Sequence, residues 1–413
     1  MEISNLKGTF DYGKTEMRRR NKIMQTLRET FERYGFNPLE TPILNYKELL
    51  TYKYGNDAEI VNEIYKLKDQ GDRDLGLRFD LTIPFCKYIA LNRNEKMPFK
   101  RYEIGKVFRN GPVKHGRTRE FYQCDVDIVG AKNINAEAEL IKMAIETYVN
   151  IGIVPQIRIG NRELLIALIN LVGAKNNIDE IIGIIDKVKK VSREEIFKNL
   201  SKYLSPEAAS DLIKYLGFNV ADLEKILPEN NGLIELKKLF GLLGEMGVLN
   251  SCVFVPSLAR GLNIYTGTVW EVFDKAGKFS SSLGGGGRYD KIITNFIDNG
   301  VSYPAVGMSF GLEPICAVLE QQNASVEKKS ITDVMIVPFN IDCFAESEKL
   351  ADKLRAKYNV SVWAGAEKVG KALEYANAEG IAEVIVIGEN EIKSGSALIK
   401  NMATGKITAI PLK

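Results

Sequence analysis

The chain has 413 residues, long enough for two or three domains and a large core. Hydrophobic residues make up 45% and charged residues 26%, ordinary globular values, and a formal net charge of +3 excludes a chain that holds nucleic acid by bulk charge. The single histidine, His115, excludes a histidine-based metal cluster and, lying in a polar loop, argues against Ser/His or Cys/His catalysis. Five cysteines (Cys86, Cys124, Cys252, Cys316, Cys343) form no CxxC pair and read as reduced, mostly core thiols of a cytosolic protein. No stretch reads as a signal peptide or as a membrane span.

In chain order, Thr15 is a candidate N-cap for a helix to about Tyr34, with Met24, Leu27, Phe31 and Tyr34 at helical spacing. After Gly35, residues 36–44 read as a strand interrupted by Pro38 and Pro42. Residues 64–68 and 75–79 flank Asp69-Gln70-Gly71-Asp72-Arg73 and predict a hairpin, followed by a turn in which Asp80 and Thr82 are candidate caps.

Residues 100–130 predict two strands joined by a long polar loop. On the first, Arg101, Glu103, Gly105, Val107 and Arg109 share one face; on the second, Phe121, Gln123, Asp125 and Asp127 do. A hairpin face carrying arginines, an aromatic ring, an amide and two carboxylates is not a structural face. Seven Lys/Arg (100, 101, 106, 109, 114, 117, 119) against Glu103 alone give residues 100–119 a field suited to phosphates or nucleic acid, or a solvated basic loop.

Residues 136–150 predict a helix and 156–159 a short strand. From about 161 to 247 the chain is rich in Ile, Leu, Lys and Glu, with breaks at Gly173, Pro206, Gly217 and Pro228, which predicts an all-helical insertion. Leu258-Ala259-Arg260-Gly261-Leu262-Asn263-Ile264-Tyr265-Thr266-Gly267 precedes a four-glycine run, Gly284 to Gly287, then Arg288-Tyr289-Asp290. The run lacks the Lys-Ser/Thr of a P-loop, and by itself predicts a turn. Residues 304–313 predict a strand leading into a helix. After a polar linker at 321–330, alternating strands and helices predict a small α/β domain with a mixed sheet. From 333 to 413 there are 10 Lys/Arg against 11 Asp/Glu, so charge does not mark that domain for RNA.

These segments, in this order, resemble the histidyl-tRNA synthetase family of class II aminoacyl-tRNA synthetases. Phe108-Arg109, then Arg119-Glu120-Phe121 and Gln123-Cys124-Asp125-Val126-Asp127, is similar to class II motif 2. The helix and the proline-bearing strand at 36–44 resemble motif 1, with Pro42 where the family has its motif 1 proline; Leu77 to Pro84 resembles the loop that meets the amino acid's ammonium group. The RGLNIYTG and GGGGRYD segments resemble two histidine-specific motifs, with Asn263 and Ile264 departing from the pattern, and Pro304 to Glu313 resembles motif 3. The resemblance implies an α/β fold: a class II antiparallel sheet flanked by helices over 1–322, a helical insertion at 161–247, and an α/β anticodon-binding domain over 331–413. It implies a histidine–tRNA ligase that forms histidyl-adenylate from ATP, with Mg²⁺, and passes the histidyl group to tRNA(His), as a homodimer. It also implies roles: Arg109 and Arg260 act on the reacting phosphate and carboxylate; Arg109, Arg117 and Phe121 hold the nucleotide; Asp80, Thr82 and Gln123 hold the amino group; Asp127, Tyr265 and Tyr289 surround the imidazole.

Two further sites depart. Pro314 stands where motif 3 has an arginine that stacks on adenine, and Arg109-Asn110-Gly111 replaces Arg-x-Glu. Loss of such a cation–π contact costs about 0.5–2 kcal/mol, and Arg288 is the nearest candidate substitute. Pro314 keeps an alternative open: a regulatory relative of the ATP phosphoribosyltransferase type that senses histidine without acylating tRNA. Arg260 and the C-terminal domain favour the ligase.

Overall fold

The computed structural model describes residues 3–52, 59–113, 118–174, 176–186, 191–259, 264–277, 279–322, 330–365 and 368–412. The chain divides into compact units, Met1–Ala324 and Ser325–Lys413. In the first unit the strands are β1 (Asn37–Pro38), β2 (Leu44–Tyr46), β3 (Lys66–Lys68), β4 (Asp74–Leu77), β5 (Phe99–Phe108), β6 (Glu120–Val129), β7 (Pro155–Asn161), β8 (Cys252–Phe254), β9 (Thr268–Asp274), β10 (Gly284–Arg288) and β11 (Ala305–Gly311). Eight of them form one sheet in the order β1-β5-β6-β11-β10-β9-β7-β8. Its centre is antiparallel, and β1 and β8 join the edges in parallel. β2, β4 and β3 make a small antiparallel sheet.

One face of the large sheet is core. Tyr102, Cys124, Val126, Ile128, Val306, Met308, Phe310 and Trp270 are buried in a cluster with three helices, Lys14–Arg33, Asn135–Ile151 and Leu312–Gln321. The first helix supplies Ile23, Leu27 and Phe31, each four residues on from the last, so one stripe meets the sheet. Burying a side chain of this size is worth about 1.5–3 kcal/mol. Its N-cap is Gly13, not Thr15: the Glu16 carboxylate accepts from the Gly13 N–H at 3.1 Å.

The proline-bearing stretch is two strands in two sheets, β1 and β2; Asn37 and Pro38 pair with β5, and the Leu39 N–H still donates to Tyr102 O at 2.9 Å before the chain leaves that edge. Residues 82–91, read as following a turn, form a helix, Thr82–Leu91, with Pro84 in its first turn, where no backbone donor is lost. The glycine run is not a turn but β10, paired on both sides at the centre of the sheet. Arg288 ends that strand on the core face. Its guanidinium donates to Glu137 at 2.6 and 2.7 Å, to Ala131 O at 3.0 Å and to Asn133 O at 3.1 Å. Glu137 is fully buried, so Arg288 is committed there and does not stand in for the missing motif 3 arginine. Between β7 and β8 the described residues form helices, Arg162–Leu171 through Asn231–Glu245.

The second unit has β12 (Val334–Pro338), β13 (Val360–Val362), β14 (Glu383–Ile387), β15 (Ser396–Asn401) and β16 (Ile407–Pro411) in the order β13-β12-β14-β15-β16. The first three are parallel and the hairpin β15–β16 is antiparallel. Val334 and Ile336 pack with Leu350 of one helix, and Met335 and Val337 with Ala372 and Ala376 of another, which covers both faces. Part of the polar linker, 323–329, lies outside the described residues.

Candidate functional site

The other face of the large sheet is polar and partly bare. Register places Arg101, Asp127, Gly307 and Gly287 on one rung, and Glu103, Asp125, Ser309, Gly285, Glu271 and Arg158 on the next. Gly105, Gln123 and Gly311 make a third. Strand alternation therefore delivers the predicted residues of the hairpin to one surface. The glycines keep the floor low beside them. A Cβ at Gly307 would lie 1.9 Å from Asp127 Oδ1, and one at Gly105 would lie 2.3 Å from Arg78 Nη2.

Arg101 is fully buried and organises the deep end. Its Nη2 is 2.7 Å from Asp127 Oδ2, its Nη1 is 3.7 Å from Glu103 Oε2, and its Cζ lies 4.2 Å over the Phe85 ring. Arg78 joins from the segment after β4, donating to Glu103 Oε1 at 2.8 Å, Thr41 O at 2.7 Å and Lys106 O at 2.7 Å. Thr41 completes Glu103's shell through its N–H and hydroxyl, both at 3.0 Å. The Tyr289 hydroxyl donates to Asp127 Oδ1. Asp80 caps the helix Thr82–Leu91, its Oδ1 accepting from Ile83 N–H at 2.9 Å, and Thr82 opens that helix. The half-buried Tyr265 ring lies against Gly287.

At the open end Arg109 lies between two rings, its Cζ 4.2 Å from the Phe79 centroid and 4.9 Å from that of Phe121. Pro314 packs over Gly311 at the start of its helix. The second departure is accommodated: a Cβ at Gly111 would lie 2.5 Å from Glu63 Oε1, so the Glu63 carboxylate fills the space of a side chain at 111.

The structure thus brings Asp80, Thr82, Gln123, Asp127, Tyr265 and Tyr289 around one face, with Arg109 and Phe121 at its edge. Arg117 and Arg260, like His115, lie outside the described residues. The basic field is smaller than the charge count implied. Arg101 is internal, Lys100 pairs with Glu139 at 2.6 Å and Lys106 pairs with Glu120, both on the opposite face. Sequence reading gave no role to Arg101, Arg78, Glu103 or Ser309. The available signal was the placement of Arg101 and Glu103 across a hairpin from two aspartates.

Four buried carboxylates (Asp80, Glu103, Asp125, Asp127) face two buried guanidiniums (Arg78, Arg101) among the described residues. Burial raises the Asp127 carboxyl, against the pull of Arg101 and the Tyr289 hydrogen bond. Burial likewise pushes Asp125 up to about 7; Arg101 and a hydrogen bond from Ser309 oppose this, while Asp127 and Asp80 add to it. Such a surface is short of positive charge and suits a cationic ligand that also donates hydrogen bonds.

A family model described as histidyl-tRNA synthetase matches residues 8–315, and one described as anticodon binding domain matches 333–413. The chain is 43% identical over 425 aligned positions to histidine–tRNA ligase 1 of Bacillus thuringiensis subsp. konkukian, covering 100% of this chain and 98% of the relative. It is 40% identical to histidine–tRNA ligase 2 of Shouchella clausii, covering 99% of this chain and 98% of the relative. The crystal structure of a histidyl-tRNA synthetase from Nostoc sp. PCC 7120 superposes with a TM-score of 0.85 at 28% identity, over 100% of this chain and 97% of that one.

The charge imbalance has a measurable cost. An aspartate free of its surroundings titrates near 3.8, and Asp125 in the folded chain near 7. Between these values the folded chain holds a proton that the unfolded chain has released. The cost is therefore absent below pH 4, grows as pH rises, and is complete above pH 7. Asp125→Asn removes it. The variant should be more stable than the parent at pH 8, by up to a few kcal/mol, and no more stable at pH 4. Paired urea or thermal melts at the two pH values check this; an equal effect at both would contradict a raised Asp125.

Proposed function

The chain belongs to the histidyl-tRNA synthetase family, and from that premise we infer that it is a histidine–tRNA ligase working on the polar sheet face. The enzyme joins L-histidine to tRNA(His) at the expense of ATP. The histidine carboxylate attacks the α-phosphorus of ATP, an oxygen–phosphorus bond forms as pyrophosphate leaves, and histidyl-adenylate results. A terminal ribose hydroxyl of the tRNA then attacks the carbonyl carbon, and AMP leaves. Neither step needs a covalent protein intermediate; positioning and charge stabilisation suffice.

The observation that carries the placement is the Arg101–Asp127–Tyr289 unit at the deep end of a glycine floor, with Arg109 and Phe121 at the open end. In this reading Asp127 accepts from an imidazole N–H, with Tyr265 and Tyr289 enclosing the ring. An apolar side chain of the same shape leaves that N–H unpaired, so the carboxylate selects for histidine. Asp80, Thr82 and Gln123 take the amino group. Arg109 steadies the α-phosphate, and Phe121 stacks on adenine. Arg117 and Arg260 keep the nucleotide and transition-state roles that their motifs imply. Pro314 removes one adenine contact, and Arg109, seated over Phe121, is the cation beside that ring among the described residues.

Mg²⁺ is proposed only as arriving with ATP. Its ligands there would be mainly phosphate oxygens and water, the usual pattern for nucleotide-bound Mg²⁺. The second unit is proposed to bind the anticodon. The cytoplasm is the compartment this activity implies. A homodimer is proposed through the motif 1 segment, at whose end Ile43 and Leu44 are exposed. The regulatory alternative is not favoured, because full-length similarity to ligases includes the anticodon-binding domain.

Two experiments test these proposals. Histidine, and no other amino acid, should drive ATP–pyrophosphate exchange. Arg109→Ala should cut that exchange by on the order of 100- to 1,000-fold, with histidine binding retained. An undiminished rate in the variant removes Arg109 from the phosphate, and histidine binding without exchange in the parent restores the regulatory reading. Light scattering should give twice the 46.2 kDa chain mass; a stable monomer that acylates tRNA would refute the dimer.

A further inference from the structure

Asp125 stands between Gln123 and Asp127 on β6, facing the same floor, yet neither the amino-group set nor the imidazole set uses it. Its carboxylate is buried, 4% exposed, and Oδ1 has no hydrogen-bond partner among the described residues. The Oε1 of Gln123, one same-face position along, likewise has no partner. Every element packed around Asp125 contributes to its setting. Glu103 faces it across β5 and Ser309 across β11, with Gly285 beyond. Arg101 and Asp127 occupy the neighbouring rung, Arg78 holds Glu103 from behind, and Asp80 reaches it through space from the start of its helix. Arg101 is already shared between Asp127 and Glu103. The Ser309 hydroxyl serves one side of the carboxylate, and the other side remains an open acceptor.

A buried open acceptor is costly unless a ligand fills it. Same-face residues on a strand are about 6–7 Å apart, comparable with the reach from the amino nitrogen of histidine to its ring. With the imidazole at Asp127 and the amino group toward Gln123 and Asp80, Asp125 lies beneath the span between them. We propose that Asp125 is a further substrate-binding residue of this enzyme, whose carboxylate accepts a hydrogen bond from the α-ammonium group of histidine. The placement rests on the sheet face being the histidine pocket, as inferred above. It also explains why β6 keeps a second acid on this face where the charge is already in surplus: the acid is balanced only when the cation arrives. In the free enzyme near pH 7 the carboxyl carries a proton for part of the time, and the ammonium group displaces it. Histidine binding therefore releases a proton to solvent, and affinity weakens as pH falls below 7.

Asp125→Asn keeps shape and removes charge. Calorimetry on the full-length enzyme in two buffers of different ionisation enthalpy, between pH 6 and 8, reads both affinity and proton release. The probes are L-histidine and 3-(imidazol-4-yl)propionate, which lacks only the amino group. The variant should bind histidine more weakly at pH 8 by on the order of ten- to a hundredfold, bind the deamino compound as the parent does, and release fewer protons on taking up histidine. The imidazole's own titration is common to both proteins and cancels in the comparison. Equal losses for both compounds would move Asp125 to the imidazole end, and unchanged histidine affinity would remove it from the site; either overturns the proposal. A parent enzyme that binds neither compound would instead refute the pocket, and the pH-dependent stability effect expected of Asp125→Asn is tested separately from that failure.

Discussion

A guanidinium with no exposed surface has to be neutralised where it lies, and Arg101 fixes much of the site by that requirement. Asp127 at 2.7 Å supplies the opposite charge, and Phe85 supplies a ring face at 4.2 Å. Glu103 is drawn in from the next rung and is itself held by Arg78 and Thr41. The chain from Thr41 to Tyr289 thus ties five separate stretches of sequence to the middle of one sheet. Removing one member leaves a buried charge unmatched, which typically costs about 3–5 kcal/mol. The rest of the pocket is built on the orientation this gives to the Asp127 carboxylate.

The glycines of β10 and β11 belong to the same constraint. Asp127 can lie flat across the sheet only because residue 307 has no Cβ. A sheet centre without side chains is weak on its own, and here its opposite face is covered by Trp270, Met308 and Phe310 against three helices. Core burial on one side thereby permits a bare floor on the other. Arg288 shows the same division: it follows the glycines directly but falls on the covered face, where Glu137 holds it.

Much of this was legible in the sequence. Period-two alternation put Arg101, Glu103, Gln123, Asp125 and Asp127 on one face, and the sheet keeps them there, because register in a two-strand hairpin is fixed once one face is buried. The helices with a clean apolar stripe were legible too. The glycine run was not, since glycine has no side chain to show a period and low strand propensity; only its neighbours β9 and β11 make it a strand. The helix Thr82–Leu91 was missed because its residues are mostly apolar on every side, leaving no helical stripe to read, with a proline inside it. The basic loop misled for a third reason. Charge counts ignore partners, and Lys100, Arg101 and Lys106 spend their charge on Glu139, Asp127 and Glu120.

The most direct test of the account is a crystal structure of the enzyme with histidine bound. The imidazole should lie with one N–H about 3 Å from the Asp127 carboxylate, with Arg101 still paired to Asp127 beneath it. A structure with the imidazole away from Asp127, or with Arg101 turned out of its buried pair onto the ligand carboxylate, would contradict it.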